Sequence, residues 1–132
     1  MASSAYKLFP EAPPAPITDE QIPDDYELLD GSLVEKETSG EHGHTQAALC
    51  ASLFGPFNRR SGGRYPGGWW FATEALIDFG SGQRLRPDIS GWRREKMHDP
   101  PHGTVVRVIP DWICEVLSTS NVNNDLVKKR RI

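Results

Sequence analysis

The sequence predicts a single domain in which a sheet of short strands packs against one long helix, and three stretches carry that expectation. Gln46, Leu49, Cys50, Leu53, Phe54 and Phe57 recur at helical spacing, with Ala47, Ala48 and Ala51 adding helix propensity. Trp69, Phe71, Thr73, Ala75, Ile77 and Phe79 alternate instead, so one side of a strand over 69–79 should face the core. Trp112-Ile113-Cys114-Glu115-Val116-Leu117 is a nearly continuous apolar run between Pro110-Asp111 and the polar residues 118–121. That is the pattern of a strand buried on both faces.

Before the helix, Tyr26 to Leu29 and Ser32 to Lys36 flank Asp30-Gly31, a hairpin signature. Thr38, with Glu41 three residues on, fits a capping box that opens a helix over 39–54. Gly55-Pro56 should end or kink it near Phe54. Arg59 to Gly68 reads as a solvated loop, although its arginines could reach a phosphate. Gly80-Ser81-Gly82 is a turn, and residues 83–90 form the returning strand. If Phe79 pairs with Gln83, then Asp78 faces Arg84 favourably and Glu74 faces Asp88 unfavourably. Two opposed carboxylates repel unless a cation or a shared proton lies between them.

Residues 91–103 form a polar loop. His98 and His102 have metal-like helical spacing there, but Pro100 and Pro101 between them exclude the helix, so both read as surface residues. Thr104 to Ile109 is a short β-branched strand, and a basic helix starts near Asp125. The residues expected in the core are Leu49, Leu53, Phe71, Ile77, Ile89, Ile113, Val116 and Leu117.

A length of 132 residues allows one domain with a modest core. Residues 1–23 hold Pro10, Pro13, Pro14, Pro16 and Pro23 and read as a flexible Pro/Ala-rich arm or an extended cover strip. Residues 24–132 are then the domain itself. A net charge of −3 argues against a non-specific nucleic-acid coat. Cys50 and Cys114 are too few and too far apart for a disulfide framework, which points to a reducing cytoplasm. No apolar run follows Lys7 as in a signal peptide, and no segment has the length of a membrane span.

Two acids stand out. Glu115 lies in the middle of the apolar run, and Asp88 lies among Leu85, Pro87 and Ile89. An unpaired buried carboxylate is costly, so each should have a metal, a cation or a raised pKa. On neighbouring strands the two would suit a hard divalent cation. The alternative is a salt bridge from Glu115 to Arg86 or Arg107.

The order of these residues resembles a known family. A Tyr-Glu-Leu-Leu-Asp-Gly opening at 26–31 is followed by a helix with His42 at its start and by Arg86-Pro87-Asp88. Then come Pro-Asp-Trp-Ile-Cys-Glu-Val-Leu-Ser at 110–118 and an Asp-x-x-x-Lys element from Asp125 to Lys129. This is similar to a restriction-endonuclease family abundant in cyanobacteria and other bacteria, within the PD-(D/E)XK nuclease superfamily. The resemblance implies an α/β, restriction-endonuclease-like core, with a mixed β-sheet flanked by helices, that lacks its last strands at the C-terminus. It implies Asp88 and Glu115 as catalytic acids holding Mg²⁺ (or Mn²⁺), and the assumed hairpin register adds Glu74 as a third candidate metal ligand. DNA is the implied partner, cut by a single chain or a homodimer. The superfamily lysine stands two residues after the second acid. That position is Leu117 here, and Lys129 in the following helix matches it instead.

The chemistry accounts for these residue types. A metal-bound water loses a proton more easily and can attack phosphorus, while a lysine offsets the charge that builds on the phosphoryl oxygens. For Lys129 the alternative is a solvated position in the basic run Lys128 to Arg131. His42 is expected in a structural role or beside the metal-holding acids, and Cys114 in packing. Three functional readings remain: a Mg²⁺-dependent endonuclease, a non-catalytic nucleic-acid or protein interaction module on the same fold, and a fragment with no function of its own. If the first holds, Glu74, Asp88 and Glu115 point into one concavity, Asp88 and Glu115 closest, with pKa values raised by mutual repulsion in the absence of metal. Lys129 should be loosely held, leaving the chain poorly active on DNA.

Overall fold

The computed structural model describes residues 15–36 and 39–117. The first hairpin joins β1 (Tyr26–Leu29) to β2 (Ser32–Glu35), with Leu28 opposite Leu33. Asp30 and Gly31 have φ of 52° and 80°, the left-handed conformation that a two-residue type I′ turn requires and that Asp-Gly tolerates. Helix α1 (Gly40–Phe57) starts one residue later than its sequence signal suggests. Ser39, rather than Thr38, is the N-cap, and its hydroxyl accepts from the His42 N–H at 3.1 Å. Thr38 lies outside the described residues. Gly55-Pro56 does not stop the helix at Phe54. A proline this close to the end forfeits little, because few further turns depend on its missing N–H. The helix closes where the Asn58 N–H meets the Phe54 carbonyl at 2.9 Å. The Asn58 side chain accepts from the Phe71 N–H and so ties the helix to the sheet.

The two long strands expected over 69–79 and 83–90 are four shorter ones: β3 (Trp69–Thr73), β4 (Ile77–Gly80), β5 (Gln83–Leu85) and β6 (Ile89–Arg93). Both break at opposed positions, Glu74-Ala75-Leu76 on one side and Arg86-Pro87-Asp88 on the other. Pro87 has no N–H for the ladder, and Glu74 takes a left-handed φ of 56° that turns the chain. The offset survives the break. Thr73 pairs with Ile89 on one side, and Asp78 pairs with Arg84 on the other. One ribbon therefore bends from a four-stranded sheet of order β2-β1-β5-β4 into a three-stranded sheet of order β3-β6-β7, where β7 is Trp112–Cys114.

The tip of the ribbon differs from expectation. Ser81 and Gly82, with φ of 53° and 76°, form a two-residue turn, Gly80 pairs with Gln83, and a bulge takes up Phe79. Pairing within each sheet is antiparallel, and residues 104–109 form no strand. Val106 makes a single parallel bridge to Ile77, which gives the α/β fold its mixed character.

One core cluster joins Ile77, Trp92 and Val106, and a second joins Ile22, Leu28 and Leu76. Phe71, Ile77 and Ile89 are buried as expected. Leu53 and Val116 are only half-buried, and Leu49, Ile113 and Leu117 are exposed. The correction concerns β7. Far from being buried on both faces, among the described residues it is the edge strand of its sheet, and no described layer covers Trp112 or Ile113. Phe71 lies flat over Gly91, where an added Cβ would stand 2.6 Å from the ring.

From residue 15 onward the expected arm is anchored. Ile22 is buried, and the Asp19 carboxylate binds Arg84 at 2.8 Å and Arg107 at 2.9 Å. Hydrogen bonds from Arg107 and Arg84 hold the Asp19 carboxyl below its usual range. A depressed folded value contributes stability that is present above the unfolded pKa of about 3.9 and lost as pH falls through the folded one. Asp19→Asn should therefore melt below wild type at neutral pH, with the gap closing in acid when followed by circular dichroism.

Candidate active site

The bend sets Glu74 opposite Asp88, and the Glu74 N–H faces the Asp88 carbonyl at 3.4 Å. Asp88 is 1 % exposed. Between the two acids lies Lys36, which the sequence reading did not single out. Its ammonium stands 2.7 Å from Asp88 Oδ1, 3.6 Å from Glu74 Oε2 and 3.9 Å from Glu115 Oε2. It also donates to the Arg86 carbonyl. The three acids expected in one concavity thus meet at a single nitrogen.

Each neighbour is delivered by a different element. Lys36 follows β2, and its own N–H is tied to the Asp25 carbonyl at 2.7 Å. His42, fixed by the Ser39 cap, brings Nε2 to 3.2 Å from Asp88 Oδ2. The Val116 N–H, just past β7, donates to the same oxygen. Arg86 holds the corner itself, donating its backbone N–H to Glu27, Nε to the Tyr26 carbonyl and Nη1 to the Glu74 carbonyl. Arg107 pairs with Asp19 and Asp78, so of the two arginines considered for Glu115 it is committed elsewhere.

Residues 16–132 match the Uma2 family, described as "Putative restriction endonuclease". The chain belongs to this family. No curated protein matches the sequence. Among solved structures, the Uma2 chain is similar to the crystal structure of a "putative nuclease belonging to DUF820" from Anabaena variabilis. The TM-score is 0.63, the identity is 22 %, and 86 % of this chain is covered. The Uma2 chain spans 65 % of that neighbour's length. The α/β, nuclease-like fold expected from the sequence is thereby established.

The electrostatics of the Uma2 site correct one expectation. Burial pushes the Asp88 carboxyl up, but Lys36, the Val116 N–H and His42 outweigh it, and the net shift is downward. Glu74 does shift upward. Its burial and the nearby Asp88 charge raise it, although Lys36 acts against them. For Lys36, burial favours the neutral amine, yet Glu115, Asp88 and Glu74 together raise its pKa. Cys114 is half-buried, and burial followed by the Asp88 and Glu115 charges pushes its thiol up, away from the thiolate a nucleophile needs. His42 is buried on Asp88, so it belongs with the acids rather than with the surface. Lys129 lies outside the described residues.

The donor chemistry suits a hard divalent cation, since three carboxylates supply only oxygen. The point they share is nevertheless filled by an ammonium. Among the described residues no group of three His, Cys, Asp or Glu stands ready to hold a metal ion as arranged. The signal for Lys36 was present in the sequence. Opposed acids need a cation, and Lys36, one residue past β2, keeps the inward parity of Val34.

Removing one partner of a buried pair leaves the other uncompensated. Asp88→Ala would strand Lys36, His42 and the Val116 N–H, and it should cost about 3 kcal/mol or more in urea unfolding. A cost below about 1 kcal/mol would show that Glu74 and Glu115 re-pair the lysine on their own.

Proposed function

We propose that this domain serves metal-dependent hydrolysis of phosphodiester bonds in DNA. The observation that carries the proposal is the convergence of Glu74, Asp88 and Glu115 on one point at the bend of the ribbon. Family membership supports a nucleic acid as substrate. Asp88 and Glu115 would hold Mg²⁺ or Mn²⁺, with Glu74 completing an oxygen-only set. When bound, the metal supplies a more acidic water and a counter-charge for the phosphoryl oxygens. The chain's own part is positional. His42 and the Val116 N–H fix Asp88 Oδ2, which leaves Oδ1 turned toward the shared point. Lys129 is the candidate for orienting the attacking water, or for offsetting charge on the phosphoryl group.

A second reading is a non-catalytic nucleic-acid or protein interaction module on the same fold. The ammonium already standing among the acids favours it, because a cluster partly compensated from within has less need of a metal.

Two measurements separate these readings. On the nuclease reading, the purified chain binds Mn²⁺ in calorimetric titration and Asp88→Asn abolishes that binding. Any Mg²⁺-dependent nicking of supercoiled DNA should then fall at least about 100-fold in Asp88→Asn and in Glu115→Gln, whose far-ultraviolet spectra stay native. Nicking that survives both substitutions, or tight DNA binding with no metal uptake, would favour the interaction module.

A further inference from the structure

We infer that Lys36 is a tethered cation that assembles the three carboxylates and must be exchanged for the divalent ion when the site loads. The inference rests on the metal-dependent reading above and adds to it a residue that sets metal occupancy.

The argument begins with charge. Three carboxylates within 4 Å of one point cannot share a largely dry corner without a counter-charge. Lys36 supplies one positive charge there, and a divalent ion would supply two. Both are drawn to the same oxygens. Asp88 Oδ2 already accepts from His42 and Val116, so Oδ1 is the oxygen in play, and Lys36 holds it at 2.7 Å. An ammonium and a metal ion cannot both occupy that position.

The geometry also provides for withdrawal. The Lys36 backbone is anchored to Asp25, and its four-carbon stem carries a rotatable ammonium with three donors. Nζ can therefore swing off Asp88 while its backbone stays fixed. An arginine, with its planar fork, would not yield the point so readily. Glu74 and Glu115, at 3.6 and 3.9 Å, already lie beyond ordinary hydrogen-bond length from Nζ and hold it only by charge. Release therefore breaks two strong contacts, those to Asp88 Oδ1 and to the Arg86 carbonyl. Lys36 is thus a positioning residue. It keeps the acids facing one another before the metal arrives, and its departure raises the metal concentration needed to load the site.

The test uses Mn²⁺ and Mg²⁺ with the purified chain. Lys36→Met removes the competitor while keeping the stem, and its calorimetric affinity for Mn²⁺ should be about tenfold tighter than wild type. A lysine that only held the fold together would weaken metal binding when lost, and one that only repelled the ion from a distance would leave the Lys36 side-chain signal unmoved. Because Lys36→Met leaves the acids without their counter-charge, its melting temperature is read in Mn²⁺ and in chelator, and the gap should exceed that of wild type. In wild type the ¹⁵N-lysine side-chain signal of Lys36 should shift on adding Mg²⁺ and saturate at the affinity seen by calorimetry. Equal or weaker affinity in Lys36→Met, or a Lys36 signal unmoved while wild type binds Mg²⁺, overturns the exchange and leaves the metal reading standing. Absence of binding in both proteins removes the metal reading itself.

Discussion

A lysine and an aspartate, both almost wholly removed from water, are the pair on which the corner of this domain depends. Each would be expensive alone in such a place. Together they are tolerable because their own charged atoms are answered. Lys36 reaches Asp88 and the Arg86 carbonyl, while Asp88 also receives His42 and the Val116 N–H. The start of the helix, the end of β2, the broken ribbon and the exit of β7 are thereby brought to one place by side chains rather than by an extensive apolar core. Buried ionic groups of this kind add little net stability over an apolar packing, but they penalise any arrangement that separates them. That penalty falls on the four elements that must meet for the acids to converge.

What could be read from the sequence follows from what each signal encodes. The ribbon offset was legible because Gly80-Ser81-Gly82 marks the turn, and counting outward from it sets Asp78 opposite Arg84. The structure keeps that offset through Thr73 and Ile89. The double break was not, although Pro87 had been noted, because a proline marks a lost hydrogen bond without saying that the partner strand turns at the same level. Glu74 in a left-handed conformation has no side-chain signature to announce it. The acids stood out as charges in apolar surroundings. Lys36 did not, since it follows Glu35 in a charged stretch where only strand parity distinguishes inward from outward.

The misreading of β7 has a different cause. An apolar run reports that side chains prefer to leave water, and the number of neighbours that receive them is decided elsewhere. Trp112, Ile113 and Leu117 are exposed, as are Leu49 and Phe54 on the helix. Between strand and helix lies an open apolar concavity of about 200 Å³ lined by Leu53, Phe57, Trp69, Phe71 and Trp112. Its aromatic floor is ordered, with Trp69 stacked on Phe71 at 5.7 Å and Trp112 edge-on to Phe71 at 5.9 Å. The alternation expected Trp69 and Phe71 on the face of Ile77 and Phe79, but past the left-handed Glu74 it is Trp70 and Ala72 that pack with that cluster, and no described layer lies over the concavity.

The shared offset of the two halves of the ribbon bears on which length changes the domain can absorb. Equal insertions in β4 and β5 lengthen the outer hairpin and leave Glu74 opposite Asp88. A residue gained or lost on one side alone slides the pairing and turns alternate side chains over. The molecule already shows how such a mismatch is contained. The odd residue Phe79 is taken up in a bulge beside the tip, and no slip propagates to the corner. Drift in hairpin length is thus decoupled from the acids, and the tip is the part of this ribbon freest to diverge among related chains.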